Sequence, residues 1–443
     1  MPTLTSYNPL NRAPLGDVPI AEPIHMPAIV LRAKQAQKSW AVLSLDERKQ
    51  KVVQAYECLS SVEDELTLLI SKEMGKDHRR ASYEVAGTIQ NAAYFTHEIE
   101  QALQSESIGR NDEMQYRPLG VVAVISPWNY PLAMANNLLL PALVAGNSVV
   151  LKPSEETPLV ADLFVKTLNQ VLPEGVLQIA HGDAETGKAL VNAEINMVAF
   201  TGSLAAGKHI MSRAASGLKR LVMELGGNDP LIVMASADID EAVQFAVASS
   251  FENTGQMCTS TERIYVDDRI ADEFEQKVIA LARRYQARAW DQNNANIGPI
   301  VNPKQHENVL SHLKDAHAKG ATFLLGTHHY ELPFIQPTVV TDITPDMLLE
   351  QDETFGPVVA ISRFEHLPEA VKRANASNYG LGAVVFGGAG ADAVAQQMEA
   401  GMVGINQGAG GIGPWVGAKQ SGFGFHGTAA GHRQFTQVRV ISK

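Results

Sequence analysis

One cysteine and one glutamate stand in settings where each could do chemistry. Cys258 lies on a loop of small and polar residues that directly follows a predicted helix, residues 239–251. A thiol on such a loop can reach a substrate as a nucleophile, although this motif alone is more typical of a packed, structural cysteine. Glu224 ends a predicted apolar strand and is followed by Gly226 and Gly227. A carboxylate there can face a cleft as a general base, or can end a strand in water.

Three further segments each follow a predicted strand, at the strand ends where open α/β sheets bind ligands. The amide of Asn129 could donate to a developing oxyanion, or this asparagine could only form a turn between prolines. Lys152 and Glu155 could hydrogen-bond ribose hydroxyls, or form a solvated turn. The turn at Gly202 and Ser203 opens a predicted helix, whose free N–H groups could hold a pyrophosphate while Ser203 serves as N-cap.

A glycine-rich segment, residues 408–413, fits the pattern Gly-x-Gly-x-x-Gly. The dinucleotide fingerprint needs a helix that opens at the last glycine and an acidic residue about 20 positions further on. Here Pro414 follows the last glycine, and residues 400–443 contain neither Asp nor Glu. We therefore predict a flexible glycine loop that does not bind a dinucleotide.

The elements around these residues alternate between strands and helices in two blocks. This alternation predicts two parallel sheets with helices on both faces, with a boundary near residues 226–227. The predicted strands are residues 121–125, 148–151, 197–200 and 221–223 in the first block, and 231–234, 263–266, 358–361 and 383–386 in the second.

The charge-free segment 118–151 imitates a membrane span in length. Three prolines and four asparagines interrupt it, and unpaired amides and proline breaks are costly in lipid. We instead predict a buried strand, a turn, a buried helix and a second buried strand in the middle of an α/β domain.

Composition excludes several classes of function. The 443 residues include 36 Lys and Arg against 48 Asp and Glu, a net charge of −12. Without a long basic run, such a chain is not expected to bind nucleic acid or an anionic membrane. Cys58 and Cys258 form neither a disulfide framework nor a zinc site, and no signal-peptide pattern is evident at the first residues. We therefore expect a cytoplasmic protein without a metal.

Taken in order along the chain, these motifs resemble the NAD(P)-dependent aldehyde dehydrogenase superfamily. Each segment is weak alone, but the ordered series, with Glu224 and Cys258 separated by 34 positions, is specific. The matching segments are residues 127–129, 152–155, 200–203, 224–227, 255–258, 353–357 and 419–424.

The resemblance implies a role for each site residue. Cys258 would be the nucleophile, Glu224 the general base, and Asn129 part of the oxyanion hole with the Cys258 backbone N–H. NAD would be preferred over NADP because the charge of Glu155 should repel a 2′-phosphate. The implied cofactor contacts are Trp128 on the cofactor side, Lys152, Ser154 and Glu155 at the adenosine ribose, Gly202, Ser203 and Gly207 at the pyrophosphate, Glu353 at the nicotinamide ribose, and Phe355 near the nicotinamide.

The resemblance also implies an α/β fold with two Rossmann-type domains and a small β oligomerisation flap. Residues 1–98 and 119–226 would form the cofactor-binding domain, and residues 227–425 the catalytic domain. Residues 99–118 and 426–443 would form the flap of a homodimer or homotetramer.

The implied activity is oxidation of a small-molecule aldehyde to the carboxylic acid, through a thiohemiacetal and a thioester on Cys258. The alternatives are a succinate-semialdehyde-type dehydrogenase, a non-catalytic binding member of the fold, and a cofactor-independent esterase. Members that act on succinate semialdehyde carry Arg six positions before the cysteine, whereas this chain has Glu252, which argues against a carboxylate-bearing substrate. His426 follows Phe425 where many members have Arg-Glu, and residues 414–417 differ from the usual Pro-Phe-Gly-Gly.

Overall fold

The computed structural model describes residues 2–292, 294–411 and 413–443. Ile412, in the predicted glycine loop, lies outside the described residues. The α-helices are Met26–Val42, Leu45–Glu57, Glu63–Met74, His78–Gln90, Ala92–Ala102, Ala133–Val144, Pro158–Leu168, Ala184–Asn192, Leu204–Ala214, Ile239–Phe251, Asp268–Ala282, Pro303–Ala318, Leu348–Gln351, Leu367–Asn375, Ala391–Ala395 and Thr428–Arg433.

The first sheet has six strands and confirms the predicted α/β architecture of this half. The chain enters the sheet in its middle and winds outward to both sides, which creates a switch point between Val121–Ile125 and Met197–Thr201. Its strands are parallel except for the edge strand Gly422–Phe423. In spatial order they are Gly422–Phe423, Arg220–Glu224, Met197–Thr201, Val121–Ile125, Ser148–Lys152 and Leu177–Ile179.

The second sheet has seven strands and is also parallel, apart from the antiparallel edge strand Thr322–Leu325. Helices cover both of its faces, with separate apolar clusters on each side. In spatial order the strands are Thr322–Leu325, Thr338–Thr341, Val358–Phe364, Thr261–Asp267, Asp229–Val233, Gly382–Phe386 and Met402–Ile405.

A third, antiparallel sheet joins two distant parts of the chain. Its strands are Glu106–Ile108, Asp112–Pro118 and Thr436–Ser442. Helix Ala92–Ala102 continues past residue 99, so the strands of this sheet begin only at Glu106. Two small hairpin-like pairs complete the fold, Thr3–Tyr7 with Pro14–Pro19 and Trp415–Val416 with Phe425–His426.

The charge-free segment folds as the sequence predicts, into strand Val121–Ile125, helix Ala133–Val144 and strand Ser148–Lys152. Every residue of both strands is buried, because helices cover both faces of the sheet. The fully buried Asn147 shows how its polar groups are satisfied. Its side-chain oxygen accepts from the N–H groups of Leu119 and Gly120, and its amide donates to the carbonyl of Phe435.

Among the described residues, no helix combines the length and apolarity needed to cross a membrane.

The two large sheets are joined end to end. Strand Arg220–Glu224 ends at the carboxyl edge of the first sheet, and strand Asp229–Val233 begins after only four intervening residues at the amino edge of the second. Cys258 precedes strand Thr261–Asp267 at that same amino edge. The connection therefore places the ligand-binding edge of the first sheet opposite the loops that enter the second.

Candidate active site

A single cavity of about 1210 Å³ lies between the two sheet edges and is lined by both of them. Among the predicted catalytic and cofactor-binding residues, Gly207 alone does not line it. Gly207 is buried in helix Leu204–Ala214, where a Cβ would lie 2.5 Å from the side chain of Leu225. The lining residues that the sequence predicts are Trp128, Asn129, Lys152, Ser154, Glu155, Gly202, Ser203, Glu224, Cys258, Glu353 and Phe355.

Two glycines after Glu224 allow the two halves of the site to approach closely. A Cβ at Gly227 would lie 2.3 Å from the carbonyl oxygen of Cys258, and a Cβ at Gly226 would lie 2.2 Å from a carboxylate oxygen of Glu353. At Gly227 a side chain would collide with backbone, whereas at Gly226 it would require the Glu353 carboxylate to move away. The Gly227 N–H also donates to Glu353 at 3.0 Å. The glycine pair thus brings the nucleophile loop and the Glu353 loop against the end of the Glu224 strand.

The loop before Cys258 has an uncommon backbone conformation. Asn253, Thr254 and Gly255 have φ values of 50°, 64° and 69°, so three successive residues are left-handed. This region is costly for Asn and more so for the β-branched Thr. A Cβ at Gly255 would also lie 2.0 Å from the carbonyl oxygen of Gly356. The surrounding contacts must therefore hold the loop in place.

Side-chain amides hold this loop and connect it to Asn129. The Asn253 amide donates to the carbonyls of Asn129 and Gln256, at 3.0 and 3.1 Å. The Asn129 amide donates in turn to the carbonyl of Gln256 at 3.1 Å. The Gln256 side chain donates to Asn253 and accepts from the N–H of Val301. Asn253 and Gln256 were missed as site residues, although both belong to the polar segment around Cys258.

Several carboxylates surround the half-buried Cys258. Burial, together with the negative charges of Asp229, Glu353 and Glu224, raises the pKa of the Cys258 thiol well above its ordinary value. Burial and Asp229 also raise the pKa of Glu353, to about 8. The resting thiol is therefore protonated at neutral pH, and a base must take its proton before it can react.

Glu224 is buried and has contacts on both carboxylate oxygens. The hydroxyl of Thr201 donates to Oε2 at 3.4 Å. Nε2 of His426 lies 3.1 Å from Oε1, and neither of these two buried atoms has a hydrogen-bond partner elsewhere in the described part of the chain. The indole of Trp415 lies nearly parallel to the His426 ring, with an angle of 8° and a centroid separation of 6.4 Å. His426 thus contacts the candidate base, which its altered motif alone did not predict.

Trp128 and Phe355 meet across the cavity although 227 positions separate them in the sequence. Their rings form an edge-to-face pair with centroids 5.5 Å apart. Phe355 has a left-handed backbone, and its N–H donates to the buried carboxylate of Glu262 at 2.8 Å, next to the N–H of Thr354 at 2.6 Å. Glu262 therefore orients the loop that carries Glu353 and Phe355.

The other end of the cavity offers groups that fit a dinucleotide. Ser203 caps helix Leu204–Ala214 by accepting from the third N–H of the helix, which leaves first-turn N–H groups facing the cavity edge. His209 Nε2, also on the cavity wall, is buried without a partner among the described residues. Nζ of the buried Lys152 lies 3.1 Å from the carboxylate of Glu155. The donor set fits a phosphate-linked ligand with hydroxyl groups.

The arrangement combines a thiol, a carboxylate and an amide donor at one end of a cavity with phosphate- and hydroxyl-binding groups at the other. A thiol and an adjacent base suit covalent catalysis on a carbonyl carbon. The amide donor suits stabilisation of the resulting oxyanion.

Comparisons with known proteins agree with this chemistry. The profile of the "Aldehyde dehydrogenase family" matches residues 2–441. A probable succinate-semialdehyde dehydrogenase [NADP(+)] of Sinorhizobium fredii is 34% identical over 98% of this chain and 91% of its own length. A glutarate-semialdehyde dehydrogenase of Pseudomonas putida is 32% identical, over 99% of this chain and 94% of the relative.

The fold has an equally clear counterpart among solved structures. The NAD+ complex of an aldehyde dehydrogenase from Bacillus cereus superposes with a TM-score of 0.95 at 32% identity, covering 99% of this chain and 93% of the other. The resemblance that the sequence motifs indicate is confirmed over the whole length, and this chain belongs to the aldehyde dehydrogenase family.

Proposed function

We propose that this protein oxidises a small-molecule aldehyde to the carboxylic acid with NAD as the preferred acceptor. One aldehyde, one NAD+ and one water would give one carboxylate, one NADH and two protons. The observation that carries the proposal is the meeting of Cys258, Glu224 and Asn129 on one cavity whose far end fits a dinucleotide.

Acylation begins when Cys258 gives its proton to solvent water and its sulfur attacks the aldehyde carbon. The carbonyl oxygen becomes an oxyanion, which the Asn129 amide and the Cys258 backbone N–H stabilise. Asn129 is held by its bond to the Gln256 carbonyl, so its amide does not need to reorganise during the step. A nicotinamide dinucleotide, when bound, supplies the acceptor for the hydride that the tetrahedral carbon loses, which leaves a thioester on Cys258.

Deacylation needs an activated water. Glu224 takes a proton from this water, whose oxygen then attacks the thioester carbon and displaces the Cys258 thiolate. His426 is a positioning residue in this step, because its contact with Oε1 fixes the carboxylate from the side opposite Thr201. Lys152, Ser154 and Ser203, with the Gly202 turn, would hold the dinucleotide, and Glu353 would bind its nicotinamide ribose.

The proposal extends to the assembly. Residues 1–98 and 119–226 would bind the cofactor, residues 227–425 would carry the nucleophile, and residues 99–118 with 426–443 would form the flap of a cytoplasmic homodimer or homotetramer. The third sheet supports the flap, since Val438 and Val440 are exposed on its edge strand Thr436–Ser442. A non-catalytic binding role is less well supported, because the complete catalytic trio lines the cavity.

Removing the general base should separate the two half-reactions. In Glu224→Gln, we expect the first turnover of NADH to remain fast while steady-state turnover falls about 100-fold, because only the water needs this base. Stopped-flow NADH absorbance would then show a burst followed by a slow phase.

Cys258→Ala should form no NADH from any aldehyde. Full activity in Cys258→Ala would contradict the assignment of the nucleophile.

The thiol should react faster as pH rises. Because the pKa of Cys258 is raised, the thiolate is a small fraction at pH 7, and its alkylation by iodoacetamide should accelerate about tenfold per pH unit from pH 7 to 9. Mass spectrometry of the labelled peptide measures the rate, with Cys258→Ala reporting the labelling of Cys58. A rate that is constant across this range would show that the thiol is already ionised.

The His426 contact should be visible in the rate of deacylation. His426→Asn removes the ring that lies against Oε1 of Glu224, so we expect steady-state kcat to fall about tenfold while the first turnover of NADH stays fast. His97→Asn, on an exposed helical face, is the control. An unchanged steady-state kcat would show that His426 does not position the carboxylate.

The cofactor preference should depend on Glu155. We expect a lower KM for NAD than for NADP. Glu155→Gln should reduce the ratio of the KM for NADP to the KM for NAD about fivefold, a modest change because solvent partly screens this exposed carboxylate. Initial rates with both cofactors measure it, and Glu194→Gln removes an equal charge at a remote surface. A lower KM for NADP than for NAD in the wild type would overturn the NAD preference, and the Sinorhizobium relative is named as NADP(+)-dependent.

A further inference from the structure

A second cavity, of about 330 Å³, lies behind the nucleophile loop. Asn129 lines the first cavity and the adjacent Tyr130 lines the second, so the two cavities lie side by side along this segment. The Tyr130 hydroxyl lies 3.8 Å from the sulfur of Met257, the residue directly before Cys258. The second cavity therefore adjoins the nucleophile loop, which supplies Glu252 to its lining and contacts its Tyr130 through Met257.

This cavity contains a cation that the sequence around Cys258 does not indicate. Arg80, from helix His78–Gln90, faces Glu252, the residue six positions before the cysteine. Its Nε lies 2.9 Å from both carboxylate oxygens of Glu252, and its Nη1 lies 2.7 Å from Asp77. Two carboxylates thus already neutralise Arg80, and the side chain of Glu252 is 34% exposed while that of Arg80 is only 13% exposed.

The charges of the cavity sum to one negative charge. Glu84 also lines the wall, but it is paired with the buried Lys76 at 2.6 Å and accepts from the N–H groups of Leu132 and Ala133. Moving a proton within the Lys76–Glu84 pair leaves its total charge at zero. Arg80 contributes one positive charge, and Glu252 and Asp77 contribute two negative charges. One negative charge therefore remains when the described lining residues and their ion-pair partners are summed. Glu252, which lines the cavity, carries that excess charge.

Aromatic rings accompany this charge. The ammonium of Lys76 lies 3.5 Å from the centroid of the Tyr130 ring, which places a cation on one ring face already. The Tyr130 hydroxyl donates to Glu252 at 3.2 Å, and the exposed rings of Tyr83 and Phe95 complete the lining. Aromatic faces beside a carboxylate are a favourable setting for an alkylated ammonium group.

We propose that the second cavity receives the end of the aldehyde remote from its carbonyl, and that it selects an ammonium or trimethylammonium end over a neutral one and a neutral end over a carboxylate. This inference rests on the proposed function. A carboxylate would face Glu252 and would have to displace it from Arg80, leaving one of two half-buried acids unpaired. The substrate class would therefore differ from the semialdehydes in the names of the Sinorhizobium and Pseudomonas relatives.

Three aldehydes of equal chain length test the proposal, namely butanal carrying a trimethylammonium, a methyl or a carboxylate group at its far end. For the wild type we expect kcat/KM to be at least about tenfold higher for the cationic than for the anionic aldehyde, the size expected for one partly screened charge. Glu252→Gln should reduce this ratio at least about threefold, and Glu252→Arg should reverse it. Added salt should reduce the ratio in the wild type more than in Glu252→Gln, because the variant lacks the charge that salt screens.

Glu98→Gln, an exposed helical glutamate, is the matched charge control and should leave the ratio unchanged. The alkylation rate of Cys258, measured in each variant, shows whether its site is intact. If Glu252→Arg does not fold, Glu252→Gln decides the test. A wild-type preference for the carboxylate, or equal kcat/KM for all three aldehydes, overturns the substrate class while leaving the dehydrogenase assignment standing. Failure to oxidise any aldehyde overturns the proposed function instead.

Discussion

The whole site depends on the four residues that connect Glu224 to Asp229. Because this connection is so short, the carboxyl edge of one parallel sheet must face the amino edge of the other. The first edge is where a doubly wound sheet binds its ligand. The second edge carries the loops that present Cys258 and Glu353. Gly226 and Gly227 allow this contact, since a side chain at Gly227 would collide with the backbone of the Cys258 loop and one at Gly226 would displace the Glu353 carboxylate.

The backbone before the nucleophile stores strain that its neighbours must offset. Left-handed conformations at Asn253 and Thr254 cost of order 1 kcal/mol or more each, and the reciprocal bonds among Asn129, Asn253 and Gln256 stabilise them. The same bonds orient the candidate oxyanion donor relative to the thiol. Strain and preorganisation are therefore properties of one hydrogen-bonded unit, in which the amide donor cannot move without the nucleophile loop.

Local patterns in the sequence predicted much of the architecture. The apolar strands and the folding of residues 118–151 follow from short-range periodicity. The resemblance supplied the domain plan and the expectation that the motif residues meet at one site, which periodicity alone does not contain. The contacts of Arg80 and His426 could not be predicted in this way, because each residue reaches its partner across more than 150 positions. Pairings of that kind are properties of the tertiary fold.

The edge strand Gly422–Phe423 has a consequence for the order in which the molecule can be completed. It belongs to the first sheet, whose other five strands all lie before residue 225. Phe435 likewise packs into the core of that sheet, fully buried. During synthesis, the first sheet therefore lacks its edge strand and part of its core until the last segment of the chain has been made. His426 reaches Glu224 in the same late event, so the nascent chain has its candidate nucleophile long before it has a finished site.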